Sequence, residues 1–136
     1  MQSLSFTIPG PPQGKARPVV TKHGAFTPKK TVAYENLVKM AFVEKYPDHV
    51  PLEGAVRVHI YASFQPPKSA SKKKLRQMLA HLIKPLVKPD LDNIAKGVCD
   101  ALNGIAWNDD KQITDLYVGK RYDENPRVEV DILSTE

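Results

Sequence analysis

Apolar and polar residues repeat along this chain with two periods, one close to two and one close to 3.6, and these divide it into strands and helices. Leu4, Phe6 and Ile8 alternate with polar residues and run into Pro9-Gly10-Pro11-Pro12, which predicts a short strand ended by a proline-rich turn. Val19-Val20-Thr21 and Ala25-Phe26-Thr27 flank Lys22-His23-Gly24, the pattern of a small hairpin or hooked loop with glycine at the tight position. From about Pro28 to Tyr46, Tyr34, Leu37, Val38, Ala41 and Phe42 recur at helical spacing, and Pro47 stops the helix.

Val56, Val58, Ile60 and Phe64 oppose Arg57, His59, Tyr61 and Ser63 with period two, so residues 54–64 read as a half-buried strand ended by Pro66-Pro67. Ser69 or Ser71 can cap a basic amphipathic helix in which Leu75, Met78, Leu79, Leu82 and Ile83 form an apolar stripe behind Lys72, Lys73, Lys74 and Arg76. A third helix is expected from about Asp90 to Asn103, with Leu91, Ile94, Ala95, Val98, Ala101, Leu102 and Ile105 facing the core. Two strands, 113–122 and 127–133, follow, joined at Asp123-Glu124-Asn125-Pro126 as a hairpin. The terminal hairpin favours α+β over a doubly wound parallel sheet: one compact domain over residues 1–136, a small mixed or antiparallel sheet flanked by about three helices.

At 136 residues and 41% hydrophobic content the chain suits one domain with a modest core. No apolar run approaches the ~20 residues of a membrane span, and Met1 leads into Gln2-Ser3-Leu4 rather than a basic, then apolar, leader, which predicts a cytoplasmic protein. Cys99 is the single cysteine, excluding an internal disulfide and a thiolate metal site from one chain. The net charge of +5 conceals a division. Residues 1–89 carry 15 basic and 4 acidic side chains, while residues 90–136 carry 5 and 11. A basic body attracts phosphates, and clustered carboxylates attract divalent cations.

The carboxylates are concentrated where chemistry would need them. Asp92, Lys96 and Asp100 lie four residues apart on the polar face of the third helix, and Asp90 precedes them at its start, where the helix dipole tolerates negative charge. Alone, Asp90 or Asp92 reads as an N-cap and Lys96 as a partner in surface ion pairs worth about 0.3–0.5 kcal/mol each. The second acidic pair, Asp109-Asp110, after Ala106-Trp107-Asn108, raises the metal reading, because hard cations take oxygen ligands converging from separate elements. A helix from Asp92 to Asn103 is roughly 17 Å long at about 1.5 Å per residue, and six or seven extended residues span roughly 20 Å. Gly104 to Asp110 can therefore just return to the helix start if the chain reverses at Asn103-Gly104. Asp100 lies nearer the far end and reads as a support that orients Lys96 or holds the turn, and Asp109 rivals Asp110 as the third ligand. A calcium loop of the EF-hand type fails, since Ile94 and Ala95 occupy its fifth and sixth positions. Phosphate-loop, His-Glu-x-x-His and nucleophile-elbow motifs are absent, the four histidines are scattered, and Trp107 reads as core.

Lys15, Arg17, Lys29 and Lys30 fall in loops or at a helix start, where they can reach DNA phosphates; the Pro9–Pro18 stretch also suits a stiff connector or docking peptide. Pro89-Asp90-Leu91-Asp92-Asn93, Lys96, Asp100-Ala101-Leu102 and Trp107-Asn108-Asp109-Asp110-Lys111-Gln112-Ile113, with Ile8-Pro9-Gly10, Lys15-Ala16-Arg17-Pro18, Thr27-Pro28-Lys29-Lys30 and Tyr34 upstream, resemble the RusA-type crossover junction endodeoxyribonucleases. The resemblance covers most of the chain. It implies a Holliday junction resolvase of recombination and repair, with Asp90, Asp92 and Asp110 binding Mg²⁺, Mn²⁺ as a substitute, Lys96 as the essential lysine, four-way junction DNA as partner, and a homodimer supplying two cuts. Two other readings stay open: another metal-dependent nuclease of branched DNA, and a non-catalytic basic DNA-binding protein.

Overall fold

The computed structural model describes residues 2–135. Its elements run β1 (Ser3–Pro9), β2 (Val19–Thr21), β3 (Gly24–Phe26), α1 (Lys29–Lys45), β4 (Val56–Phe64), α2 (Lys72–Leu79), α3 (Leu91–Leu102), a 3₁₀ turn (Asp110–Gln112), β5 (Ile113–Tyr122) and β6 (Arg127–Ser134). Four strands form a mixed sheet in the order β1-β6-β4-β5, and β2 and β3 form a separate hairpin with Gly24 at φ 115°. The period-two pattern builds the core as cross-strand rows: Leu4 pairs Ile132, which pairs Val58; Phe6 pairs Val130, which pairs Ile60. All six are buried. Against that face α1 lays Tyr34, Val38 and Phe42, and α3 lays Ile94, Val98, Ala101 and Leu102. The fold is α+β, as the pattern predicts.

The predicted terminal hairpin is not formed. β6 pairs antiparallel with both β1 and β4, β5 pairs parallel with β4, and β4 therefore lies between the last two strands. The Asp123–Pro126 turn reverses the chain in either topology; the Asp123 N–H donates to the Phe64 carbonyl at 2.9 Å, carrying the link across the end of β4. β4 takes the centre because its Ala62, Ser63 and Phe64 are all buried, leaving the more exposed β5 at the edge. Parallel pairing of β4 with β5 needs a long crossover, and residues 65–112, with α2 and α3, supply it.

Ser71, of the two candidate caps, accepts from the Lys74 N–H at 3.2 Å. The helix it starts ends at Leu79, so the predicted stripe is cut short: Met78 is buried, but Leu75 and Leu82 are exposed. Leu91 also departs from its predicted core position and is 43% exposed, since burial along α3 begins only at Ile94.

Candidate active site

The polar face of α3 and the start of β5 enclose a cleft of about 470 Å³, lined by Asp92, Ala95, Lys96, Cys99 and Asp100 from the helix and by Asp110 and residues 113–116 from the returning chain. The i, i+4 spacing of Asp92, Lys96 and Asp100 puts all three on this wall. Asp110 arrives by a route tighter than an extended return. Gly104 adopts φ 79°, the Ala106 N–H donates to Leu102 O at 2.9 Å, and Trp107 is then buried in the core. The chain folds back at once, and Asp110 comes to face Lys96, Cys99 and Asp100 across the cleft.

The adjacent aspartates have separate tasks. Asp109 caps the 3₁₀ turn, accepting from the Lys111 N–H at 2.9 Å while its own N–H donates to Gln112 Oε1 at 2.8 Å. Gln112 Nε2 in turn donates to the carbonyls of Leu52 and Gly54, at 2.8 and 2.9 Å, fixing the turn to the body. Asp110 instead lines the cleft and accepts from Trp107 Nε1 at 2.8 Å. Burial raises its carboxyl pKa above the ordinary aspartate value; the Trp107 bond opposes this, while the charges of Asp100 and Asp109 add to it. Burial, then the charges of Asp110 and Asp100, push the Cys99 thiol between them up to about 12, so it is protonated and inert.

Asp100 also lines this cleft. Its partner is Lys15, whose Nζ lies 2.7 Å from Asp100 Oδ2 and 3.2 Å from Glu35 Oε1. The Lys15 N–H donates to Asn93 O at 3.1 Å, and the Ala16 N–H to Thr31 Oγ1 at 3.1 Å, so the proline-rich segment is clamped onto α3 and α1. Gly14 allows the approach, since a Cβ there would lie 2.8 Å from Pro89 Cβ and 2.9 Å from Asn93 Cβ. The spacing of Asp92, Lys96 and Asp100 signalled Asp100; nothing in the sequence signalled its pairing with a lysine 85 residues away.

Lys96 makes no ion pair among the described residues, so its ammonium faces the cleft uncommitted. Asp90 is the N-cap residue of α3, exposed, without a side-chain capping bond and outside the cleft lining. Arg17, Lys29 and Lys30 are exposed, the two lysines in the first turn of α1, where no acidic residue balances the helix dipole. The cleft offers carboxylate oxygens, the donors a hard divalent cation takes, and Asp100 raises the pKa of Asp110, an electrostatic setting a cation relieves. Among the described residues, no three acidic, cysteine or histidine side chains already stand together as a finished coordination shell.

Residues 9–133 match the family described as Endodeoxyribonuclease RusA. The chain is also 36% identical to the uncharacterized protein YqaN of Bacillus subtilis (strain 168), over 97% of this chain and 96% of that protein. This chain belongs to the RusA endodeoxyribonuclease family, whose members hydrolyse DNA phosphodiester bonds as Holliday junction resolvases and are generally metal-dependent. No helix among the described residues is long and apolar enough to cross a membrane.

Proposed function

We propose that this chain is a Mg²⁺-dependent, structure-selective endonuclease that resolves four-way junctions by paired symmetric nicks in recombination and repair, as a cytoplasmic homodimer. The observation that carries the reading is the shared cleft of Asp92, Lys96 and Asp110, in which two carboxylates from separate elements face an ammonium with no ion-pair partner among the described residues. Asp92 and Asp110 would hold the cation. Asp90, with no capping bond to hold it, completes the proposed set, and Asp100 competes for that place. Bound there, Mg²⁺, or Mn²⁺ in its stead, supplies positive charge to the phosphate oxygens and acidifies the attacking water. Lys96 sets its own charge against the phosphate as negative charge builds. Trp107 holds the Asp110 carboxylate in one orientation.

Arg17, Lys29 and Lys30 are proposed to bind flanking phosphates, an anion also relieving the unbalanced start of α1. Lys15 has the same proposed role but must first exchange Asp100 and Glu35 for phosphate. Two symmetric cuts need two acidic clefts, and the described residues of one chain form one, which supports a twofold dimer.

The test is cleavage of labelled four-way, flap and linear duplexes by the purified chain, with and without Mg²⁺ and Mn²⁺. Paired symmetric nicks confined to the four-way substrate, lost in Asp92→Asn while binding persists, are expected. Cleavage of flaps alone assigns another branched-DNA nuclease, and retention without cleavage under every metal condition assigns a binding protein.

A further inference from the structure

Leu86 is the most exposed large apolar side chain among the described residues, at 93%, and it stands between Lys84 and Lys88 in the connection from α2 to α3. Leu82, at 76%, and Val87, at 54%, accompany it. Single exposed apolar residues need no explanation, but three within six residues, interleaved with lysines, make a surface with a use.

The connection is held rather than loose. His81 closes α2 in the left-handed region at φ 64°, and the N–H groups of Leu82 and Ile83 both donate to Gln77 O, at 2.9 and 3.3 Å. Pro85 is buried, and Lys120 Nζ of β5 donates to the Val87 carbonyl. Both neighbours of Leu86 are thus tied to the body while its own side chain stands out in solvent.

Charge narrows the partner. Residues 54–89 contain no Asp or Glu and eight Lys or Arg, so the surface suits a polyanion. Lys84 joins His81, Lys120, Arg121, Tyr61 and Tyr117 around a cleft of about 200 Å³. β5 connects this cleft to the acidic one: Asp115 and Leu116 line the acidic cleft, and Tyr117, Gly119, Lys120 and Arg121 line this one. At about 3.3 Å per residue, Asp115 to Lys120 spans roughly 17 Å, about five steps of a DNA strand.

We propose that Leu86, with Leu82 and Val87 beside it, is an apolar wedge that enters the base stack at a DNA branch point while Lys84 and Lys88 hold the neighbouring phosphates. A partner matching this surface must be polyanionic and also offer an apolar face. Uninterrupted duplex hides its base faces in the stack, whereas a branch exposes them or lets them part at lower cost, and an inserted aliphatic side chain replaces the lost stacking. An anionic membrane combines the same two properties. Leu86 lies six residues before Asp92, which at about 3.3 Å per residue keeps it within roughly 20 Å of a residue lining the acidic cleft, a span that DNA bound by a nuclease covers, and this selects DNA. The wedge rests on the reading that the substrate is branched, and supplies a physical origin for that selectivity.

The test is titration of four-way, flap and linear duplexes carrying 2-aminopurine at the branch, or mid-duplex in the linear control, with the full chain and without divalent metal, so that no strand is cut. The wild-type chain is expected to raise the fluorescence of the junction as the base unstacks. Leu86→Ser should abolish that rise and weaken junction binding about tenfold, the effect of losing one stacking contact, with linear-duplex affinity within about twofold. Leu86→Phe should restore both. Lys84→Ala with Lys88→Ala should weaken binding to every DNA and reduce the salt slope by about 2. An undiminished fluorescence rise in Leu86→Ser, or an equal loss on linear duplex, overturns the wedge. So does a Leu86→Trp emission that shifts to the blue on phosphatidylserine vesicles but not on junctions. A wild-type chain that binds all three DNAs equally refutes the branched-substrate reading together with the wedge, whereas a junction preference that survives Leu86→Ser refutes the wedge alone.

Discussion

The indole Nε1 of Trp107 donates to Oδ1 of Asp110 across 2.8 Å, so the largest fully buried side chain of the core ends in a hydrogen bond to a carboxylate of the acidic cleft. That bond favours the ionised form of Asp110 against burial and against the charges of Asp100 and Asp109. Trp107→Phe keeps most of the apolar bulk and removes the donor. The Asp110 pKa should rise further, whereas in Asp100→Asn, which deletes a repelling charge, it should fall. Carbon-13 titration of the Asp110 carboxyl in metal-free protein reads both, and shifts of the opposite signs would refute this electrostatic account.

The same shift has a consequence for stability. Because the folded-state pKa of Asp110 lies above the ordinary aspartate value, the folded chain binds this proton more tightly than the unfolded chain does. The stabilisation is complete below the unfolded pKa and is lost as pH rises through the folded one, leaving an ionised Asp110 as a burden on the metal-free fold at neutral pH. Asp110→Asn is expected to raise the metal-free Tm at pH 7 and to abolish cleavage. A Tm below wild type at pH 7, with the gap unchanged at pH 3, would contradict the linkage.

Lys96 is exposed and makes no ion pair among the described residues, so its loss should leave the fold intact, within about 0.5 kcal/mol by urea denaturation. Cleavage should nevertheless drop about 100-fold or more in Lys96→Ala, the scale of removing a charge that stabilises a transition state. Near-normal single-turnover rates would remove Lys96 from the catalytic set.

Lys15 sits between Asp100 and Glu35, each less than one-third exposed. Lys15→Met keeps the stem and removes the ammonium, leaving two carboxylates facing each other. A stability loss of about 1–2 kcal/mol is expected, mostly recovered by adding Glu35→Gln, since the cost is an unpaired charge rather than missing bulk. Chemical denaturation of the single and double variants checks this; additive losses would show that the pairing contributes nothing.

Gly14→Ala places a methyl 2.8 Å from Pro89 Cβ and 2.9 Å from Asn93 Cβ, inside contact distance of groups fixed at the start of α3. Relief requires the loop to lift away from the helix, which carries Lys15 off Asp100. Overpacking of this kind costs about 1–3 kcal/mol. Faster amide exchange at Lys15, whose N–H is bonded to Asn93 O, should accompany the loss; unchanged protection would mean that the loop is not held by this contact.

Local chemistry alone determined much of this protein. The periods of two and 3.6 marked four strands and three helices, because burying one face of a strand or helix leaves that signature in any fold, while the exposed segment around Gly24 was legible only as a hairpin or hooked loop. The same spacing set Asp92, Lys96 and Asp100 on one line, and the blocks around them carried the resemblance to the RusA-type nucleases that the family match bears out. Only the tertiary structure decided which strands pair: the Asp123–Pro126 turn is compatible with a hairpin or with a crossing of β4, and the competition for the central position is settled by burial over the whole sheet. It also decided which carboxylates meet. Asp100 and Lys15 are brought together by a loop clamped across two helices, and Asp109 and Asp110, chemically identical and adjacent, are separated into a cap and a cleft residue by the direction in which one 3₁₀ turn presents them. Contacts between residues far apart in the chain depend on the packing of everything between them, and no short window of sequence contains that information.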